Sequence, residues 1–238
     1  MTPMTSTSQP TALVTGASRG LGRALARTLA ARGWRVVVDA RSAAALAAAA
    51  DDLAGAIVVP GDVTDAAHRE ALAAAVIGLG RLDLLVNNAS DLGPSPLPAL
   101  AEVPLDALRR VYETDVVAPV ALTQLLLPQL RASGGVVLNV SSDAAVEAYP
   151  GWGGYGSAKA ALDQLSAVLA AEESDLRVYA VDPGDMRTEL HQAAFPGEDI
   201  SDRPEPETVV PALLRLLDER PASARYRAAD WAVSEVSS

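Results

Sequence analysis

Short apolar runs alternate with longer helical patterns along almost the whole chain. Runs of apolar, β-branched residues predict strands, and apolar residues recurring three or four positions apart predict helices. The predicted strands are Ala12–Thr15, Val36–Asp39, Ala56–Pro60, Leu82–Asn87, Val136–Val140, Arg177–Asp182 and a short one near Tyr226–Ala229. The predicted helices are Leu21–Arg32, Ala43–Leu53, Ala66–Ile77, Leu105–Leu130, Tyr155–Ala171 and Glu207–Arg220. This alternation predicts an α/β fold: a doubly wound, mostly parallel seven-stranded sheet with helices on both faces.

Three features depart from this regular pattern. Residues 1–10 are rich in Ser, Thr and Pro and predict a flexible N-terminal tail, which leaves residues 11–238 as one domain. Residues 183–206 carry several Pro and Gly and form the longest irregular stretch within the domain. Because such a stretch in a compact domain is often a lid, we expect a substrate loop there. Pro119 lies inside the longest helical pattern and is predicted to bend it.

Composition and charge exclude several classes of function. The chain of 238 residues is long enough to bury one core. Its formal net charge of −11 disfavours a nucleic-acid partner, and no apolar run approaches the roughly 20 residues of a membrane helix. The chain has no cysteine, which is typical of a reducing compartment, so we expect a cytoplasmic protein. Neither His68 nor His191 has the neighbours of a metal site, so no metal is predicted.

A glycine-rich turn follows the first predicted strand and opens the first predicted helix. It reads Thr15-Gly16-Ala17-Ser18-Arg19-Gly20-Leu21-Gly22. Glycines let the backbone turn tightly and approach a pyrophosphate, while the helix N-terminus offers free N–H groups and a positive dipole end. An ordinary strand–helix turn is the alternative, but the strand–turn–helix context near the N-terminus favours dinucleotide binding.

The spacing T-G-x-x-x-G-x-G resembles that of the short-chain dehydrogenase/reductase family. Other segments match the family's motifs in the family's order: Asp62-Val63, Asn87-Asn88-Ala89-Ser90, Ser142 with Tyr155-x-x-x-Lys159, and Pro183-Gly184 with Thr188. The resemblance spans nearly the whole chain and implies a Rossmann-type domain, a nicotinamide cofactor and a small-molecule carbonyl or alcohol substrate. It also implies a homodimer or homotetramer paired through the Leu105–Leu130 and Tyr155–Ala171 helices. With the turn and the arginines considered below, the predicted cofactor-binding residues are Gly16, Ser18, Arg19, Gly20, Leu21, Arg41, Asp62, Val63, Asn88, Ala89, Tyr155, Lys159, Pro183, Gly184, Met186 and Thr188.

Ser142, Tyr155 and Lys159 form the predicted catalytic set. Hydride transfer to a carbonyl develops negative charge on its oxygen, so a proton must be delivered there, and Tyr155 is the candidate donor. Lys159 lies one helical turn after Tyr155, and we expect its ammonium to lower the pKa of the phenol. Ser142 ends the fifth predicted strand and can hydrogen-bond the substrate oxygen. Each residue alone has a purely structural explanation; their joint spacing favours catalysis.

Two positions depart from the family's pattern. Asp115 stands where the family usually has an Asn that holds a water of a proton relay, and Ser90 stands for a Gly. An aspartate can hold a water but adds a negative charge that would support the Lys159 ammonium. We therefore predict Asp115 as a fourth member of the catalytic set.

The region after the second predicted strand bears on the choice of cofactor. NAD-dependent members place an acid at its end, and that position is Ala40 here, followed by Arg41. Arg41 and Arg19 can bracket a 2′-phosphate, which guanidinium groups bind bidentately. We predict NADP(H). Asp39 is the contrary observation, since a shift of one residue would let it meet the ribose.

The segment before Tyr155 bears on the substrate. Its Gly-Trp pair resembles the sepiapterin reductase and benzil (diketone) reductase branch of the family and predicts reduction of a small ketone or diketone. Trp152 can form an aromatic wall, although packing beneath the loop explains it as well. The predicted substrate residues are Asp91, Leu92, Val146, Tyr149, Trp152 and His191, with Met186 beside them.

Two other functions compete with carbonyl reduction. One is an NAD-dependent alcohol dehydrogenase of the same family, since the chemistry is reversible. The other is a nucleotide-sensing relative without catalysis, which the presence of both Tyr155 and Lys159 disfavours.

Overall fold

A seven-stranded sheet with all strands parallel forms the centre of the molecule. The computed structural model describes residues 9–53 and 55–232. The strands are β1 (Thr11–Val14), β2 (Arg35–Ala40), β3 (Ile57–Pro60), β4 (Leu84–Asn87), β5 (Val136–Val140), β6 (Arg177–Asp182) and β7 (Ala224–Arg227). Their order across the sheet is β3-β2-β1-β4-β5-β6-β7. The order reverses between β1 and β4, and in such sheets ligands bind at the carboxyl ends of the strands beside that reversal.

Helices cover both faces of the sheet, as predicted. They are α1 (Gly20–Ala31), α2 (Ala43–Ala50), α3 (Ala66–Leu79), α4 (Leu105–Tyr112), α5 (Ala118–Ser133), α6 (Gly153–Glu172), α7 (Glu189–Ala194) and α8 (Val210–Glu219). Successive strand residues point to opposite faces, so Val14 packs with α1 and α8 while Leu13 packs with α3 and α5. The predicted Rossmann-type fold is confirmed. None of the helices in residues 9–53 and 55–232 is long and apolar enough to cross a membrane.

The predicted helix Leu105–Leu130 is not continuous. One π-helical turn at Glu113–Val117 separates α4 from α5. Pro119 is the second residue after this turn and has no N–H to donate to the carbonyl of Asp115, so the regular hydrogen-bond ladder cannot continue through it. The widened turn holds Asp115 in a buried position.

Residues 183–206 are less irregular than predicted. They contain α7, which begins after Thr188, whose hydroxyl oxygen accepts from the N–H of His191 at 3.1 Å. A short helix is hard to recognise in a segment so rich in Pro, Gly and acids. Of the predicted N-terminal tail, residues 1–8 lie outside the described residues, and the Pro10 carbonyl accepts from the N–H of Arg35 at 2.9 Å.

Candidate active site

A cleft of about 660 Å³ opens at the carboxyl ends of the strands, beside the reversal between β1 and β4. All sixteen residues predicted to bind the cofactor line it. Ser142, Tyr155 and Lys159 line the same cleft, together with Trp152 and His191. The fold therefore brings the predicted cofactor residues and the catalytic triad together in one space.

The glycine turn is shaped for close backbone approach. Gly16 has a φ of +67°, and a Cβ there would lie 2.9 Å from the Cα of Ala89. A Cβ on Gly22 would lie 2.4 Å from Nδ2 of Asn88, which donates to the carbonyl of Thr15 at 2.8 Å. Helix α1 has no side-chain cap and no acid in its first turn. Its free amides and positive dipole end suit the anionic pyrophosphate of a dinucleotide.

Asp39 is buried beneath this turn and does not face a ribose site as a free carboxylate. Its Oδ1 accepts from the N–H of Gly16 at 2.8 Å, and its Oδ2 lies 3.0 Å from Nε2 of His68. Burial raises the pKa of Asp39, although His68 and the Gly16 amide act in the opposite direction. Asp39 lines the cleft, but both of its carboxylate oxygens already have partners within the protein.

The guanidinium of Arg41 lies at the end of the cleft formed after β2, near Asp62. Ala40 ends β2, and the exposed Arg41 follows it. Asp62 accepts from the backbone N–H and the hydroxyl of Thr64, at 2.9 and 2.8 Å. Partial burial raises the pKa of Asp62, but these hydrogen bonds and the charge of Arg41 outweigh burial and hold it below its usual value. Arg19 forms an exposed ion pair with Glu189 of α7.

Tyr155 and Lys159 are both buried on α6. Lys159 Nζ lies 5.4 Å from the centre of the Tyr155 ring and donates to the carbonyl of Val140 at 2.9 Å. Nζ also lies 2.9 Å from Oδ1 of Asp115, and the two side chains are 2% and 0% exposed. The π-helical turn thus places the Asp115 carboxylate within ion-pair distance of Lys159.

Burial raises the pKa of Tyr155 overall, although the Lys159 ammonium lowers it, as expected. The charge of Asp115 raises this pKa further. Burial lowers the pKa of Lys159, but Asp115, together with Tyr155 and Asp163, outweighs this, so that pKa is raised overall. The spacing of Tyr155 and Lys159 indicates the nearby ammonium but says nothing about burial or the negative charge of Asp115.

Ser142 has its hydroxyl at the cleft surface. The hydroxyl donates to Oδ1 of Asp143 at 3.0 Å and accepts from the N–H of Ala144 at 3.2 Å. Asp143 also accepts from the hydroxyl of Tyr149 at 3.1 Å. Asp143 and its neighbour Ser141 line the cleft but were not predicted, although their positions beside Ser142 were a usable signal.

Aromatic rings enclose the end of the cleft next to Tyr155. The Trp152 ring lies 5.8 Å from that of Tyr155 and 5.9 Å from that of Phe195. The ring centre of His191 lies 4.9 Å from that of Phe195, in a tilted arrangement, and Phe195 is absent from the predicted set. His191 Nε2 is buried without a hydrogen-bond partner, so a polar group of a ligand could satisfy it.

The other predicted substrate residues surround this end without lining the cleft. Leu92 is buried in the apolar cluster that holds Tyr155. The Asp91 carboxylate accepts from the N–H of Gly93 at 2.8 Å, which closes a local turn. Val146 and Tyr149 are exposed, at 62% and 44%.

Comparison with known proteins now decides the family. The family model for short chain dehydrogenases matches residues 10–199. The chain belongs to the short-chain dehydrogenase/reductase family. Serine 3-dehydrogenase from Rhizobium radiobacter is 38% identical over 185 residues, which are 76% of this chain and 73% of that protein.

Solved structures agree with this membership. A short-chain dehydrogenase from Pseudomonas syringae superposes with a TM-score of 0.86 at 32% identity, covering 92% of this chain and 94% of that one. A short-chain dehydrogenase from Shigella flexneri, solved in complex with NADP, gives a TM-score of 0.84 at 30% identity, covering 92% and 97%. The protein is thus an oxidoreductase of the short-chain dehydrogenase/reductase family, whose members bind a nicotinamide cofactor.

Proposed function

We propose that this short-chain dehydrogenase/reductase is an NADP(H)-dependent carbonyl reductase acting on a small ketone or diketone. The observation that carries the proposal is the shared cleft: Ser142, Tyr155 and Lys159 line the same space as the uncapped N-terminus of α1. NADPH, when bound, supplies the hydride. The residues of the chain hold the substrate and provide the proton.

Tyr155 is the proton donor in this proposal. As negative charge develops on the substrate oxygen, the phenol O–H bond breaks and the proton passes to that oxygen, leaving a phenolate. Lys159 stabilises the phenolate until it is reprotonated. Ser142, whose hydroxyl lies at the cleft surface, donates a hydrogen bond to the substrate oxygen and fixes the carbonyl. Trp152 and Phe195 exclude water from the reacting carbon.

Three observations support NADP(H) over NAD(H). Ala40 stands at the end of β2, Asp39 is engaged by Gly16 and His68, and Arg41 is exposed at the same edge of the cleft. Without a free carboxylate, the ribose hydroxyls lose the acceptor that favours NAD. Arg41 and Arg19 offer guanidinium groups to a 2′-phosphate. The Shigella flexneri relative, solved with NADP, is consistent with this choice.

Binding titrations with NADPH and NADH test the cofactor assignment. NADPH should bind more tightly, and Arg41→Ala should weaken NADPH binding by about 10- to 100-fold, the range for losing a charge-assisted hydrogen bond. NADH binding should change little. Arg32→Ala is the matched control, because Arg32 is exposed at the far end of α1 and pairs with Asp218. A wild-type preference for NADH would contradict the assignment.

The aromatic enclosure supports a flat, conjugated carbonyl substrate. The ring centre of Trp152 lies within 6 Å of those of Tyr155 and Phe195, an arrangement that suits a diketone or a carbonyl on a ring. Trp152→Ala should raise KM for an aromatic diketone more than for a small aliphatic aldehyde. Equal effects on both substrates would assign Trp152 to packing alone.

We further propose that the chain pairs with itself through α5 and α6. Leu126 and Leu162 are buried within the protomer, whereas Leu125 and Leu165 are 39% and 38% exposed. Val168 of α6 and Val117, in the π-helical turn just before α5, add exposed apolar surface. Light scattering should find a homodimer or homotetramer at micromolar concentration, and a monomer would contradict the pairing.

A further inference from the structure

The two positions at which this chain departs from its family's pattern lie in contact with each other. The hydroxyl of Ser90 donates to Oδ1 of Asp115 at 2.5 Å. Residue 90 follows β4, while residue 115 lies in the π-helical turn, so the fold rather than the sequence brings them together. This contact could not form with a Gly at position 90, the residue that the family usually has there.

The other polar contacts of Asp115 are made with groups beside Tyr155 and Lys159. Oδ2 accepts from the N–H of Asp91 at 2.9 Å, and Oδ1 forms the ion pair with Lys159 Nζ at 2.9 Å. Both side chains of that pair are almost fully buried, so solvent does not screen their attraction. The carboxylate therefore opposes part of the effect that the Lys159 charge has on Tyr155.

Ser90 connects Asp115 with Tyr155 by a second route. The Ser90 side chain also neighbours the Tyr155 phenol, and a hydrogen bond that Ser90 donated to the phenolate would lower the pKa of the phenol. A serine hydroxyl has only one proton to donate. Here a carboxylate at 2.5 Å holds that proton, and charge-assisted bonds of this kind are the stronger ones. While Asp115 is charged, the Ser90 hydroxyl therefore donates to Asp115 and not to a Tyr155 phenolate.

We propose that Asp115 is a positioning residue that keeps Tyr155 protonated, by pairing with Lys159 and by holding the proton of Ser90, and so sets the site for carbonyl reduction. This inference rests on the proposed function for its direction of chemistry. A reductase needs Tyr155 as an acid, whereas alcohol oxidation needs the phenolate. The buried carboxylate favours the first state.

The groups that face the two catalytic side chains all enter this balance. Lys159 of α6, Asp115 of the π-helical turn, Ser90 after β4 and Asp143 after β5 face Tyr155. Asp115, Tyr155 and Asp163 face Lys159. Among these groups Lys159 supplies the only positive charge, and the negative charges of Asp115 and Asp143 disfavour a Tyr155 phenolate. Asp143 is exposed and therefore screened, which leaves Asp115 as the dominant negative charge.

The direct test is the ionisation of Tyr155 in the cofactor-free protein. The chain has five tyrosines, so carbon-labelled tyrosine gives five phenol signals by NMR, and Tyr155→Phe identifies the relevant one. In the wild type this signal should stay largely protonated at about pH 10, the ordinary pKa of a tyrosine. In Asp115→Asn its midpoint should fall by about one unit or more, a tenfold change in the ionisation ratio. Equal midpoints, or a wild-type midpoint below about 10, would overturn the proposal.

Ser90→Ala separates the two routes and tests the inference if Asp115→Asn does not fold. In the wild-type background it should shift the Tyr155 midpoint much less than Asp115→Asn does, because Asp115 already holds the serine proton. In the Asp115→Asn background it should raise the midpoint again, because the released proton is removed. A large fall of the midpoint on Ser90→Ala alone would contradict the assigned hydrogen bond. These titrations need no turnover, so a wrong substrate or cofactor proposal would leave their result intact.

Discussion

Two buried carboxylates in this molecule each pair with a base, yet their surroundings differ. Asp39 meets His68 at 3.0 Å beneath the glycine turn, and Asp115 meets Lys159 at 2.9 Å beside the catalytic tyrosine. All four side chains are at most 6% exposed. By burial and pairing alone the two sites look alike.

The other contacts of Asp39 and Asp115 distinguish the two sites. The other oxygen of Asp39 accepts from the backbone of Gly16, and the ring of His68 packs so tightly on Gly61 that a Cβ there would lie 2.2 Å from Nδ1. Asp115, in contrast, shares its oxygens with Ser90 and Lys159, which both act on Tyr155. The first pair shapes the backbone that receives the cofactor, whereas the second sets the charge of a reacting group. A buried acid is therefore a functional candidate when its partners reach a reacting atom.

Tyr155→Phe should have the largest effect on catalysis. The ring remains in the cluster with Leu92 while the proton donor is lost, so turnover should fall by about 10²- to 10⁴-fold. NADPH binding, measured by titration, should stay near the wild-type value. Tyr226→Phe is the control, because its hydroxyl only donates to the carbonyl of Ala222 on the distant β7 side. Near-normal turnover in the Tyr155 variant would refute the mechanism.

Asp39→Ala breaks the other pair and should act on stability and binding. Removing one partner of a buried pair costs about 3–5 kcal/mol, which denaturant titration measures. Because the Gly16 amide loses its acceptor, NADPH and NADH should both bind more weakly, and their affinity ratio should stay unchanged. Asp39→Asn keeps an acceptor for Gly16 and should lose less. A change of the ratio instead would mean that Asp39 contacts the ribose.

The pH profile of carbonyl reduction sharpens the comparison between the two pairs. Reduction needs the phenol, so kcat/KM falls as pH rises through the pKa of Tyr155, and a raised pKa extends activity to higher pH. Asp115→Asn should move this alkaline limb about one unit lower, since it removes the charge that raises the pKa. Asp39→Asn should leave the limb in place. If both variants shift it alike, the two carboxylates are not functionally distinct.

The smallest expected effect concerns residues 183–206, which lie across the cleft from both pairs. Glu189 ties α7 to Arg19 through an exposed ion pair, a contact of about 0–1 kcal/mol. Amides of residues 185–203 should therefore exchange quickly in the free protein and gain protection with NADPH and substrate, as hydrogen exchange would show. The contact of Phe195 with Trp152 favours an ordered segment even in the free protein. Equal protection in both states would mean that the segment does not move on binding.

Most of the fold could be predicted because its signals are local. The predicted strands Val136–Val140 and Arg177–Asp182 agree with the structure at both ends, and β1 differs by a residue at each end. The π-helical turn escaped prediction, since its pattern of apolar residues does not differ from that of a helix. Helix α7 escaped it because six residues are too few to show a period.

The site could be predicted only as far as motifs carry it. The glycine turn, Ser142, Tyr155 and Lys159 follow from spacing, and the structure brings them to one cleft. The contact of Asp39 with His68 joins residues 29 positions apart on different elements, and no spacing rule connects them. The pKa of Tyr155 depends on burial and on Asp115 as well as on Lys159, so it could not be judged from one neighbouring charge.

The most direct test of carbonyl reduction by this protein is a cofactor-oxidation screen of the wild type and Tyr155→Phe. NADPH and NADH are each offered with diketones, pterins, quinones and aldehydes. The account predicts that at least one carbonyl class drives oxidation of NADPH, faster than of NADH, and that Tyr155→Phe abolishes it. Tight NADPH binding without oxidation by any class would contradict the account and favour a nucleotide-binding protein without catalysis.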